Sequence, residues 1–282
     1  MKHIDGHFSG VEGISIYYQA WLPETAPKAI IMVAHGIAEH SGRYLNVVNE
    51  VIPRGFAVYA NDHRGHGRSE GDRCYVDHFD QYIDDVKLFY DLIRKDHPLA
   101  PIFLLGHSMG SLIAVQFTAK YESLLSGLIL SGSGNKTGGD VSPLLIAISK
   151  LLSRIVPRLK IRATDLSQYI SHDPEVVQRY RTDPLNFLKG FSARLGAELL
   201  RSFAINESLV GSFKLPLLFQ AGGEDSLVLN ARAVAEKFTM TDKTFRIYEG
   251  LWHEVYNESE ADRRKVLNDL GEWLDRHAAA IK

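Results

Sequence analysis

Ser108 sits between two glycines in Gly106-His107-Ser108-Met109-Gly110. A serine hydroxyl is a weak nucleophile near neutral pH. It needs a base within hydrogen-bond reach, and the base needs a partner that fixes its tautomer and stabilises its charged form. Residues 102–105, opened by Pro101, form an apolar run that reads as a buried strand, and residues 112–119 read as a buried helix. Strand, tight turn and helix are the setting in which Gly-x-Ser-x-Gly makes a nucleophile elbow. Ser108 is expected at the apex with a strained backbone. Gly106 and Gly110 are expected because a Cβ at either would crowd the turn. The helix start then brings backbone N–H groups to where an oxyanion would develop.

The partners follow from chain order. Asp225 opens the loop after the apolar run 217–220, with Glu224 beside it as the fallback acid. Asp62 precedes the serine, which breaks the order. Of 12 histidines, His253 alone lies on the loop after the last strand. Serine, acid, histidine is the order of α/β-hydrolases, not of chymotrypsin or subtilisin. The oxyanion donors expected are the backbone N–H groups of Met109 and Ile37, the latter in a His35-Gly36 turn after the run 29–34. His35 and His107 flank the site without the carboxylate–histidine spacing of a metal motif, so they are expected to brace loops by hydrogen bonds. No metal and no cofactor is expected. His63 and His66 belong to a glycine-stiffened turn. Glu39 and Arg43, four apart, can pair with each other.

The elements that must position these groups alternate between strand and helix. Strands are expected at 11–22, 29–34, 56–60, 102–105, 128–130, 216–220 and 244–248. Helices are expected at 44–54, after an Asp77/Asp80 cap with Phe79, Tyr82, Ile83, Val86, Tyr90 and Ile93 on one stripe, at 230–238, and after a Ser259/Asp262 box. This rhythm means an α/β fold with a mostly parallel, doubly wound sheet and a site beyond the carboxyl ends of its strands. Between residues 135 and 213 the rhythm breaks, with no clear strand. That stretch is read as a helical cap inserted between core parts 1–134 and 214–282.

The chain has 282 residues, 45% of them hydrophobic, enough for a large core in one domain with an insertion. A net charge of −2 argues against a nucleic-acid partner. The single cysteine, Cys74, excludes an internal disulfide and fits a reducing compartment. The first residues lack the apolar core of a signal peptide, and no run of roughly 18 apolar residues could span a bilayer. A cytoplasmic protein is therefore expected.

Several stretches resemble the monoacylglycerol lipase family and its lysophospholipase-like relatives. They are His35-Gly36 with Glu39-His40-Ser41-Gly42-Arg43-Tyr44, then Asp62-His63-x-Gly65-His66-Gly67-x-Ser69-x-Gly71, then Leu104-Leu105-Gly106-His107-Ser108-Met109-Gly110. Thr182-Asp183-Pro184-Leu185, the Gly-x-x-Asp225 loop and Ile247-Tyr248-Glu249-Gly250-x-x-His253 continue the match across nearly the whole chain. The resemblance implies an α/β-hydrolase core with a mobile helical cap, hydrolysing monoacylglycerols to fatty acid and glycerol without a cofactor. It implies Ser108, Asp225 and His253 as the triad and Ile37 and Met109 as the oxyanion hole. Glu39, Arg43, His107 and Tyr180 match positions at the glycerol end of the pocket. Ser111 stands where the family often has a third glycine, and Tyr256 where a relative has a second histidine. The alternatives are a broad carboxylesterase, lysophospholipase or thioesterase with the same triad, and a non-catalytic binding module on the same fold.

Residues 141–156 concentrate Leu144, Leu145, Ile146, Ile148, Leu151, Leu152, Ile155 and Val156, with Lys150, Arg154, Arg158 and Lys160 in or just after them. A helix there would either roof the acyl pocket or dock peripherally on a lipid surface with basic residues at its edges.

Overall fold

The computed structural model describes residues 1–138, 151–161 and 165–279. Its main sheet holds eight strands: β1 (Lys2–Ser9), β2 (Ser15–Leu22), β3 (Ile30–Ala34), β4 (Ala57–Asn61), β5 (Ile102–His107), β6 (Gly127–Ser131), β7 (Leu217–Gly222) and β8 (Lys243–Tyr248). Their order is β1-β2-β4-β3-β5-β6-β7-β8. β1 and β2 pair antiparallel, as do β2 and β4. β4, β3, β5, β6, β7 and β8 run parallel. Every residue of β3 to β7 is buried, which is why these strands read as unbroken apolar runs.

Helices cover both faces, as the doubly wound reading requires. On one lie α2 (Asp80–Asp96) and α3 (Met109–Tyr121). On the other lie α1 (Leu45–Val51) and the C-terminal helix Glu260–Ala279. The α2 stripe is buried as its spacing predicts. Its start differs from expectation. No Asp77 or Asp80 side chain caps it; the Gln81 amide oxygen accepts from the Asp77 and His78 N–H groups (3.1 and 3.3 Å), and Glu198 accepts from Phe79 N (3.0 Å). Ser259 and Asp262 do meet, at 2.6 Å. The expected strand 11–22 begins only at Ser15, because Val11–Gly13 form a single 3₁₀ turn with Glu12 at φ 62°. The expected helix 44–54 is a 3₁₀ turn, Ser41–Tyr44, leading into α1. β1 carries too few apolar residues to show in the sequence; as an edge strand it lays Phe8 on Phe89 of α2, ring centroids 5.5 Å apart.

Between β6 and β7 the described chain is mostly helical: a 3₁₀ turn Leu166–Tyr169, α4 (Pro174–Thr182) and α5 (Ala193–Leu209). Asp173 caps α4 by accepting from Glu175 N (2.9 Å), and the Asp183-Pro184 pair ends it. Two short ladders correct the expectation of no strand here: Lys136–Thr137 pairs with Val228–Leu229, and Lys160–Ile161 with Phe191–Ser192. At two residues each they leave no periodic trace. Most of the apolar stretch 141–156 lies outside the described residues; of it, residues 151–155 are helical, with Leu151 and Ile155 exposed. α6 (Ala231–Lys237) follows β7, and the C-terminal helix is α7.

Candidate active site

The turn from β5 to α3 has the geometry its sequence demands. Ser108 sits at φ 52°, ψ −119°, a conformation costly for a side chain-bearing residue. A Cβ at Gly106 would overlap the Gly110 carbonyl oxygen, and one at Gly110 the Ala34 carbonyl oxygen. β5 and α3 therefore cross closer than any other residue type would allow. Ser111 takes part in the turn: its hydroxyl donates to the Ser108 carbonyl (2.7 Å), as does its N–H (2.9 Å). Ser108 N donates to Ser131 O across the sheet (3.0 Å). These bonds hold the strained residue in place.

After β7, Asp225 turns one carboxylate oxygen back onto its own loop. Oδ1 accepts from Leu227 N (2.8 Å) and Val228 N (3.0 Å), leaving Oδ2 2.7 Å from His253 Nδ1. Burial pushes the Asp225 carboxyl up, but His253 and the two N–H groups outweigh it and hold the pKa below the ordinary aspartate value. Burial pushes His253 down; Asp225, with Glu254 and Glu39 farther off, more than reverses this and raises it. The Asp225 contact fixes Nδ1 as the donor and leaves Nε2 free. Glu224 is exposed, and Asp62 is engaged elsewhere, accepting from Ser41 N (2.8 Å), Ser41 Oγ (2.6 Å) and Arg68 N (2.8 Å). Gly132, at φ 55°, matters in a way its sequence position does not announce: a Cβ there would stand 2.8 Å from His253 Cε1.

Ser108, His253, Ile37 and Met109 line one cavity of about 160 Å³. Met109 is the first residue of α3, so its N–H has no carbonyl partner within the helix. Leu112, Leu166, Ile170, Phe191, Leu199 and Phe203 give the cavity an apolar lining, and Glu39, Arg43, His107 and Glu254 add a polar cluster to its wall.

The polar part of the lining is an ion cluster. Arg43 donates through Nη1 to Glu39 Oε2 (2.8 Å) and through both terminal nitrogens to Glu254 (2.6 and 2.7 Å), and its guanidinium stacks 4.5 Å over the Tyr180 ring. Glu39 Oε1 accepts from Gly36 N (2.5 Å) and the Tyr44 hydroxyl (3.0 Å). Burial pushes Glu39 up, but Arg43 and its other neighbours hold it down at about 2. Burial likewise pushes Arg43 down, and the two carboxylates more than reverse it. His107 is pushed down to about 4, by burial first and by nearby His253 next. It is therefore neutral, and Arg43 is matched by two carboxylates, so the cluster carries net negative charge. The sequence reading expected Glu39, Arg43, His107 and Tyr180 here and missed Glu254; its place directly after His253 was the only available signal.

His35 braces its turn, with Nδ1 2.7 Å from Gly36 O and Nε2 accepting from His63 N (2.9 Å). Tyr256 turns away from the cavity and donates to Gln220 Oε1 (2.7 Å) under the sheet.

Residues 25–260 match the family described as serine aminopeptidase, S33 (Hydrolase_4). The monoacylglycerol lipase of Mycolicibacterium smegmatis is 35% identical over 96% of this chain and 96% of its own. The monoglyceride lipase of Homo sapiens is 32% identical over 97% of this chain and 91% of its own. Among solved structures, the monoacylglycerol lipase of Paleococcus ferrophilus superposes with a TM-score of 0.80 at 26% identity, covering 98% of this chain and 100% of the other. With an eight-stranded, mostly parallel sheet, a strained elbow serine and full-length identity above 30%, the chain belongs to the monoacylglycerol lipase-like family of α/β-hydrolases.

Proposed function

We propose that this protein hydrolyses monoacylglycerols to a free fatty acid and glycerol through an acyl-enzyme. Ser108 Oγ attacks the ester carbonyl as its proton passes to His253 Nε2. Asp225 holds the imidazole in the required tautomer and stabilises its charged form. The Ile37 and Met109 N–H groups receive the oxyanion. Collapse of the tetrahedral intermediate breaks the ester C–O bond, and the alkoxide leaves as glycerol with the proton from His253. Water, deprotonated by the same histidine, then attacks the acyl carbon; the Ser108 Oγ–acyl bond breaks, His253 returns the proton to Oγ, and the fatty acid is released. Side chains and backbone amides of this chain suffice for each step. Residues 135–213 act as the cap over the two core parts, 1–134 and 214–282.

The observation that carries the substrate is the mixed lining of the cavity. Its apolar side chains suit a single acyl chain, and an uncharged polyol can hydrogen-bond to its polar cluster. A lysophospholipid phosphate or an acyl-CoA would meet an arginine already matched by two carboxylates. This favours a neutral head group over the lysophospholipase and thioesterase alternatives. The test is a panel of monoacyl-, diacyl- and triacylglycerols, p-nitrophenyl esters and lysolipids, run with Ser108→Ala. Monoacylglycerol turnover that leads the panel and falls by on the order of 10⁴ to 10⁶ in the variant supports the reading. Absence of labelling by a fluorophosphonate probe would favour a non-catalytic module instead.

No helix among the described residues is long and apolar enough to cross a membrane. The cap nonetheless exposes Leu151, Ile155, Val156 and Leu159 beside Arg154, Arg158 and Lys160. That combination supports shallow, reversible docking on an anionic lipid surface, which would shorten a single-chain lipid's path to Ser108. Leu151→Asp with Ile155→Asp should weaken co-sedimentation with anionic liposomes at low salt while turnover of a short soluble ester is retained. Equal binding by the double variant would exclude docking through this face.

A further inference from the structure

Glu258 is fully buried, lies five residues after His253 and does not line the cavity. Its carboxylate joins two parts of the molecule. Oε1 accepts from Trp252 N (2.6 Å), the residue before His253, and lies 3.1 Å from His172 Nδ1. Oε2 accepts from His172 N (2.8 Å), lies 3.3 Å from His172 Nδ1 and has the Ser171 hydroxyl at 3.2 Å. That hydroxyl is also 2.9 Å from Asn257 O. Around this centre the same two segments meet twice more. Glu254 N, directly after His253, donates to Ile170 O (2.8 Å), and the His172 ring lies 3.9 Å from the Trp252 ring. Ile170 is a cavity wall, and α4, which starts at Pro174, carries Tyr180 onto Arg43.

We propose that Glu258 is a positioning residue: one buried carboxylate sets the His253 loop and the cap segment 170–173 in a single register. The imidazole and the roof over Ser108 are then aligned by the same bonds. A buried anion is costly unless its oxygens are filled by donors, and here the donors come from both segments. Movement of either segment alone would leave the carboxylate short of partners, so the two are held together. The inference rests on His253 as the base.

Glu258→Gln keeps the volume but turns one acceptor oxygen into an N–H donor, so Trp252 or His172 loses its acceptor. With a soluble p-nitrophenyl ester the expected result is a kcat lowered by about tenfold to 100-fold, the cost of a sub-ångström to ångström misplacement. KM should move by less than about threefold, because no residue that touches substrate has changed. The histidine limb of the kcat/KM pH profile should also shift. His172→Ala, which keeps the backbone N–H, should lower kcat by about threefold. The double variant should be no slower than Glu258→Gln alone, because both act through one clamp. Full kcat with an unmoved pH profile in Glu258→Gln, or fully multiplicative losses in the double variant, would overturn the proposal. If Glu258→Gln does not fold, an unchanged kcat in His172→Ala overturns it. His253→Ala separates the two assignments. Turnover retained there removes the base, whereas an inactive His253→Ala beside a normal Glu258→Gln removes only the positioning role.

Discussion

Asp225 Oδ2 stands 2.7 Å from His253 Nδ1, while its other oxygen is held by two backbone N–H groups of its own loop. The carboxylate is thus fixed before it meets the imidazole, and His253 is oriented by a rigid partner. Asp225→Asn should fold normally and lose about 10⁴ in kcat, because an amide N–H facing Nδ1 favours the wrong tautomer. Glu224→Gln, an exposed change, should stay within about twofold of wild type. Steady-state kinetics on the two variants checks this, and the reverse ranking would assign the acid to Glu224.

The pH dependence follows from the directions of the shifts. His253 must be neutral to act as a base, and its pKa is raised, so kcat/KM should climb with pH through an apparent value above the ordinary histidine value of about 6.5. A rate flat from about pH 5 to 8 would be incompatible with a histidine base. Stability should move as well. His107 is depressed to about 4 and His66 to about 3, so below the ordinary value the unfolded chain binds protons that the folded chain refuses. Stability is then complete above about pH 6.5 and falls as pH drops from there, by on the order of 3 kcal/mol for His107 alone once pH reaches its folded value. His253 acts in the opposite sense: its stabilising charge is present below the ordinary value and lost as pH rises through the folded one. With several buried histidines depressed, a net loss is expected by denaturant unfolding at about pH 5 relative to about pH 7. Equal stability at the two pH values would contradict it.

The proposed preference for an uncharged head group can be tested at one residue of the Arg43 cluster. Glu254→Gln removes one of the two carboxylates on Arg43 and takes the cluster from net negative to neutral, which lifts the repulsion of an anionic head group. The kcat/KM ratio for a monoacylglycerol phosphate over the uncharged monoacylglycerol should rise by about tenfold or more, given one unit of charge a few ångströms away at an effective dielectric of about 20. An unchanged ratio would show that this cluster does not govern head-group charge.

Gly132 tests how closely the imidazole is packed. Gly132→Ala would place a Cβ 2.8 Å from His253 Cε1 on a residue with φ 55°. The ring must yield, and kcat should fall by about tenfold to 100-fold. Circular dichroism should show the fold retained. Unimpaired kcat would mean that the backbone or the ring shifts without cost to the chemistry.

The sequence by itself determined the elements whose signal is local. Unbroken apolar runs marked the buried strands, because parallel strands covered on both faces have no polar side to show. Gly106, Ser108 and Gly110 marked the elbow, because the clash that excludes other residues lies within one turn and its neighbouring strand. Chain order singled out Asp225 and His253, because the ends of consecutive parallel strands converge on one edge of the sheet. Tertiary structure decided what joins residues distant in sequence. Arg43 meets Glu254 across 211 positions, and Glu258 reaches His172 across 86. No periodicity encodes such pairs, since a charged residue in a loop reads as solvated until the fold buries it. The same holds for α2, where Glu198, 119 residues from Phe79, accepts an N–H at the helix start that a local aspartate was expected to cap. The two-residue ladders beside the cap form only when loops from separate parts of the chain are brought side by side. Local sterics and hydrophobic burial wrote the frame of the candidate site into the sequence, while the partners of its buried charges were chosen by which loops the sheet brings to the same edge.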